Sequence, residues 1–231
     1  MHEEPHDPNI TSRLNWLRAG VLGANDGIVS VAGIVLGVAG ATTSRSAIVT
    51  AGIAGLAAGA LSMAVGEYVS VSTQRDTERA LIEQERRELR EMPEEEQDEL
   101  ASIYVEKGLT PQLASDVAEQ LTAHDALAAH ADAELHIDLD ELTNPWIAAI
   151  ASLVSFICGA LLPLLAIALP TTGARVWITI VSVVVALAIT GRTSARLGDA
   201  PVARAVARNV VGGLVAMIIT YAIGSLVGQA V

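Results

Sequence analysis

Long apolar runs separated by short polar joints, with one extended stretch of dense charge between the second and third runs, set the organisation of this 231-residue chain. A helix needs about 20 apolar residues to cross a hydrocarbon core of roughly 30 Å. Five runs reach that length: from about Trp16 to Ala41, Ala47 to Ser72, Pro145 to Leu169, Gly173 to Leu197, and Pro201 to Val231. The joints at Thr42 to Arg45, Pro170 to Gly173 and Gly198 to Pro201 carry the residues that punctuate helices. The pattern predicts an all-α polytopic membrane protein with five transmembrane helices.

The charged stretch predicts three further helices. Thr77 to Glu91 continues the second span, because neither Gly nor Pro intervenes before Pro93. Pro93 suits the first turn of the next helix, Glu94 to Lys107, whose opening glutamates favour the positive end of the helix dipole. Gly108 ends it. Thr110 is placed to cap a third helix starting at Pro111, with Leu113, Val117, Leu121, Ala128, Ala131 and Leu135 near one face. Three regions follow: residues 1–72 with two spans, an acidic helical insert at 73–141, and residues 142–231 with three spans.

Composition sharpens this picture. Apolar residues make up 52% of the chain, yet it has one Phe and three Tyr, so Ala, Val, Ile, Leu and Gly supply the hydrophobicity of packed membrane helices. Small residues four apart, Gly33 with Gly37, Gly55 with Gly59 and Gly224 with Gly228, suit close helix crossings. Cys158, the single cysteine, reads as a small buried hydrophobe. The formal charge of −12 argues against nucleic-acid binding, and it is local. From Thr73 to Glu141, 20 acidic residues face 6 basic ones, leaving the insert at −14 and the rest near +2. The opening stretch Met1 to Ser12 is polar and acidic, with no basic n-region or small-residue cleavage site, and does not read as a signal peptide. Placing the N-terminus and insert in the cytoplasm and the C-terminus outside puts 12 basic residues inside and only Arg45 and Arg175 outside.

Few residue types in this chain carry chemistry within the spans. Asp26 is an intramembrane carboxylate, a costly group unless paired, protonated or facing a wet cavity. Met63 and Glu67 lie four apart on the second span and share a helical face. A thioether beside carboxylates suits a borderline transition-metal ion better than calcium or magnesium. In the insert, Glu85 with Glu88 and Glu96 with Glu99 each place two carboxylates on one face, and His130 with Glu134 adds an imidazole at i,i+4 spacing. His124 and His136 read as surface histidines.

Taken together, these motifs resemble the vacuolar iron transporter family. Asn25-Asp26-Gly27, Ala57-Ala58-Gly59-Ala60-Leu61-Ser62-Met63, Gln74-Arg75-Asp76 and Met92-Pro93-Glu94-Glu95 carry the likeness along nearly the whole chain. The resemblance implies a homodimer of five-helix subunits that exports Fe²⁺ or Mn²⁺ from the cytosol in exchange for protons, with no prosthetic group. A bacterial member would send the ion across the cell membrane. It also implies that Asp26 and Met63 line the membrane pathway and that Glu85, Glu88, Glu96, Glu99 and Glu134 bind metal. Two departures concern metal preference. Gly55 stands where eukaryotic members carry a glutamate, with Glu67 three turns further on, and His130-Ala131 replaces paired methionines, which makes His130 a replacement ligand.

The expected function is therefore divalent-metal transport. A non-transporting metal sensor or scaffold and a passive divalent-cation channel are the alternatives. No nucleophile-base pair, phosphate loop or haem motif supports an enzyme.

Overall fold

The computed structural model describes residues 10–139, 144–171 and 173–230, with side chains from Gly20 onward. The N-terminal nine residues, the side chains of Trp16, Arg13 and Arg18, the proposed insert boundary at 141 and the terminal Val231 lie outside the described residues.

Among those residues the chain is all-helical: α1 (Ile10–Ala41), α2 (Arg45–Glu91), α3 (Pro93–Glu106), α4 (Pro111–Ala133), α5 (Pro145–Ala168), α6 (Arg175–Leu197) and α7 (Val202–Ala230). Five of them, α1, α2, α5, α6 and α7, are long and apolar enough to cross a membrane. With no helix breaker before Pro93, α2 runs unbroken for 47 residues, about 70 Å at the α-helical rise. The chain divides into two compact units, one comprising residues to Tyr68 and from Pro145, the other Val69–Asn144.

In the first unit α1 packs against α5, α6 and α7. Its small residues explain how. A Cβ at Gly27 would strike the Phe156 carbonyl of α5, and one at Gly159 would strike the Ala24 carbonyl of α1. Further along, a Cβ at Gly224 of α7 would strike the Gly37 carbonyl, and one at Gly228 would meet the Ala41 backbone. Lipid tails are as apolar as the side chains, so close backbone approach and dispersion contacts hold such helices together more than hydrophobic burial does. On α5 the buried residues Ala149, Ser152, Phe156, Gly159, Pro163 and Ile167 repeat at three- and four-residue steps, forming a single seam.

Unlike α1, α2 is only loosely held within this unit. Among the described residues no other helix packs closely on α2, whereas α1 packs against α5, α6 and α7. Gly55 and Gly59 meet the side chains of Ile34 and Phe156, not a neighbouring backbone, so of the three small-residue pairs in the sequence this one makes no close backbone crossing. At the turn between α1 and α2, Ser44 Oγ accepts from Ala47 N–H at 3.4 Å as an N-cap. Arg175, itself buried, donates to the Thr43 carbonyl at 2.8 Å, and Arg45 donates to the Leu169 carbonyl at 3.2 Å.

In the second unit, Pro93 occupies the first turn of α3, and the helix ends as Gly108 takes φ +104°. Gly108 N–H donates to the Val105 carbonyl at 2.9 Å and Leu109 N–H to Tyr104 at 3.1 Å, the paired bonds of a Schellman motif. Thr110 sits at the α4 N-cap without a side-chain cap bond. Leu100, Ala118 and Ala133 form the core between α3 and α4.

Two expectations are corrected. The third insert helix keeps no single apolar face, because the backbone leaves helical geometry at Asp125, whose carboxylate accepts from Ala128 N–H at 3.0 Å and caps the second half anew. In the first half Ala114 and Ala118 take the buried side, and Leu113, beside them on the helix, is exposed. Cys158 is also exposed, on the side of α5 away from the α1 seam.

The glycine contacts make a direct prediction about stability. Gly224→Val forces α7 away from α1 and should cost about 1–3 kcal/mol, the usual range for overpacking, read as a melting point lowered by several degrees in detergent. Gly66→Ala, whose Cβ would meet nothing within 4 Å, should leave melting unchanged or slightly raised.

Candidate metal centre

The insert gathers its acid around a buried imidazole. Unbroken helix brings Glu85 along α2, the first turn of α3 supplies Glu96, and the second half of α4, restarted at Asp125, carries His130. His130 is fully buried, with Glu85 and Glu96 only 2% and 5% exposed. His130 Nδ1 lies 3.0 Å from Glu85 Oε1, 3.7 Å from Glu96 Oε2 and 3.7 Å from Glu134 Oε2. One ligand atom from each of Glu85, Glu96 and His130 falls within 4.8 Å of the others, close enough for one cation to meet all three.

These groups do not satisfy one another. The 3.0 Å approach of His130 to Glu85 lacks hydrogen-bond direction: Glu85 Oε1 and both ring nitrogens of His130 are buried with no hydrogen-bond partner. Buried polar atoms of this kind cost free energy unless a ligand meets them. Burial pushes the Glu85 carboxyl up to about 7, helped by the nearby charges of Glu134, Glu96, Glu88 and Glu99. Glu96 is raised for the same leading reason, then by Glu99, Glu88, Glu134 and Glu95. Repulsion of this kind among crowded carboxylates is what a divalent cation relieves.

The remaining predicted ligands form an outer ring. Glu134 is close but more exposed, Glu99 is exposed, and Glu88 is half-buried and accepts from Gln84 Nε2 at 3.0 Å. His124 and His136 are exposed, and His136 Nδ1 lies 3.0 Å from the Asp132 carbonyl.

A second polar site lies in the apolar unit. Asp26 and Met63 line one open cleft of about 460 Å³, together with Asn25, Arg208, Asn209 and four apolar or glycine neighbours, Leu22, Val29, Gly212 and Gly213. Ser30 Oγ donates to Asp26 Oδ1 at 2.7 Å, orienting the carboxylate from one turn along α1. Glu67 is half-buried one turn beyond Met63 and does not line this cleft. Its neighbour Tyr68 packs on Trp146, ring centroids 4.7 Å apart.

Sequence reasoning passed over the rest of the cleft wall. Asn25 Oδ1 accepts from Asn209 Nδ2 at 3.3 Å and Thr190 Oγ1 at 3.5 Å. The available signal was an Asn or Arg deep in an apolar run, which marks a functional position as well as Asp26 does.

Residues 17–225 match the family model described as the VIT family. A vacuolar iron transporter of Acanthamoeba castellanii is 46% identical over 218 residues, spanning 91% of this chain and 78% of that protein. Vacuolar iron transporter homolog 1 of Oryza sativa subsp. japonica is 39% identical over 226 residues, spanning 96% and 78%. Vacuolar iron transporter homolog 2.1 of Arabidopsis thaliana is 34% identical over 228 residues, spanning 98% and 88%. An all-helical chain with five membrane-length helices, matched from residue 17 to 225, therefore belongs to the VIT family, a family of membrane transporters and not of enzymes.

Proposed function

We propose that this protein exports ferrous or manganous ions from the cytosol, in exchange for protons and as a homodimer with five transmembrane helices per subunit. The convergence of Glu85, Glu96 and His130, buried and unsatisfied, carries the reading of a transition-metal cargo: two carboxylates and an imidazole are the donors Fe²⁺ and Mn²⁺ accept. Iron also appears in the names of the relatives.

In this mechanism the insert, residues 73–141, collects the hydrated ion, with Glu88, Glu99 and Glu134 neutralising its charge around the inner three ligands. Asp26 and Met63 receive it in the membrane cleft, with Glu67 on the same face of α2. A carboxylate binds a cation only when deprotonated, so a proton arriving from the far side weakens Asp26 and releases the ion. Supporting the orientation is the distribution of 12 basic residues against 2, with the two opposite arginines both donating to loop carbonyls. The dimer is what the family resemblance implies, and α2, on which no other helix packs closely among the described residues, is the span open to a partner.

Two measurements test this reading. The first is metal binding against pH. Because Glu85 titrates near 7, it is protonated below that value and competes with metal, so Mn²⁺ affinity of the detergent-solubilised protein should fall about tenfold for each pH unit below 7, one proton per ion. The same raised carboxyl destabilises the metal-free insert as pH rises through 7, and added Mn²⁺ should reverse that loss. Glu85→Gln should flatten both profiles, and unchanged profiles in that variant would remove Glu85 from the site. The second is cellular. Resistance to Mn²⁺ or Fe²⁺ conferred on a sensitive host should disappear in Asp26→Ala and fall in Met63→Ala, and wild-type protection by the Asp26 variant would exclude the proposed pathway.

A further inference from the structure

Three consecutive residues of α1 have different partners, although Asn25 and Asp26 both line the Met63 cleft. Gly27 lies against the Phe156 backbone of α5. Asn25 is tied to α6 and α7 through Thr190 and Asn209. Asp26, about 100° from each neighbour around the helix, is left facing the cleft it shares with Met63.

Asn25 holds that arrangement through a single atom. Its Oδ1 is the acceptor for Asn209 Nδ2 at 3.3 Å and Thr190 Oγ1 at 3.5 Å, so one side chain joins three helices. The single Thr190 hydroxyl proton is shared between the Leu187 carbonyl at 3.2 Å and Asn25 Oδ1 at 3.5 Å, which keeps the hydroxyl on the junction side of α6. Interhelical bonds of this length are individually weak. Backbone contacts at Gly27, Gly159, Gly224 and Gly228 hold α1 in place already. What the junction adds is rotational: turning α1 by a fraction of a residue breaks both bonds and swings the Asp26 carboxylate along the cleft wall.

Met63 has no comparable tie. It sits on α2, whose glycines Gly52, Gly55 and Gly59 touch only side chains of Leu164, Val35, Ile34 and Phe156. The cleft is therefore built from one fixed wall and one loosely held wall, and on the fixed wall Asn25 sets the rotation within the limits the glycine contacts leave.

We infer that Asn25 is a positioning residue for the cation: by accepting from Asn209 and Thr190 it sets the rotation of α1 that aims Asp26 at the Met63 cleft. It thereby governs how tightly the ion is held. This inference rests on the reading of Asp26 as a pathway residue.

The test is a double-mutant cycle on Mn²⁺ transport by the full-length protein in proteoliposomes. Thr190 does not line the Asp26 cleft, so it reaches the ion only through Asn25. Thr190→Val, which keeps shape and removes the hydroxyl, should raise the Mn²⁺ KM about threefold while Vmax stays within about twofold, and Thr190→Ser should behave as wild type. Asn25→Leu should raise KM about tenfold, and adding Thr190→Val to it should change nothing further. A Thr190→Val protein with wild-type KM, or additive effects in the double variant, overturns the inference. Should Asn25→Leu fail to accumulate, the Thr190→Val and Thr190→Ser pair decides alone. Asp26→Ala run alongside separates the two failures: normal transport in that variant overturns the pathway reading, whereas an inactive Asp26→Ala beside wild-type KM in Asn25→Leu and Thr190→Val overturns only the positioning role.

Discussion

Carboxylates held close together and away from water repel one another, and the chemistry of the insert follows from how this chain arranges that repulsion. Glu85 and Glu96 are buried against His130, with Glu134, Glu88 and Glu99 near enough to raise their proton affinity. A salt-bridged acid cluster would lower those affinities. Among the described residues the basic group closest to these carboxylates is an imidazole whose two nitrogens lack hydrogen bonds. Such a cluster is stabilised by a proton or by a cation, and the competition between them makes affinity sensitive to pH close to neutrality.

The apolar unit meets a different constraint. Helices in lipid gain little from hydrophobic burial against one another, so the closeness of α1 to α5 and α7 depends on glycines that leave no room for a side chain. That packing holds α1 on three sides, and the remaining side carries Asp26. Because α2 is held only by side-chain contacts within the subunit, the carboxylate and the thioether of the cleft belong to elements fixed to different degrees. A transport site that must admit and release an ion is well served by such a pairing, since small shifts of α2 change the distance between its ligands.

Much of this architecture was legible in the sequence. The five long apolar helices follow from run length, the passage of α2 from its apolar run into the insert from the absence of Gly and Pro between Glu67 and Met92, and the ends of α3 from Pro93 and Gly108. Helical spacing also put the insert carboxylates and His130 on usable faces. What spacing could not supply was depth: an i,i+3 pair on a charged helix looks the same whether solvated or buried, so the full burial of His130 and the near-burial of Glu85 and Glu96 are tertiary facts. The kink at Asp125 was hidden because Asp is tolerated inside helices, and its capping bond to Ala128 shows only in three dimensions. Cys158 was misread because an apolar run does not say which side of a membrane helix faces its neighbours. Asn25 was seen in its motif but given no role, and Asn209 and Thr190 were passed over, because their meaning lies in one shared oxygen across three helices.

The central claim is coupled movement of a divalent metal through this chain, and the direct measurement is simultaneous recording of metal and proton flux in proteoliposomes holding the purified wild-type protein. With Fe²⁺ or Mn²⁺ supplied on the insert side and an inwardly acting proton gradient on the other, metal should cross in one direction while protons cross in the opposite one, each flux stopping when the other is blocked. Metal flux indifferent to the proton gradient would contradict coupling and describe a channel, and no flux above that of empty liposomes would contradict transport itself.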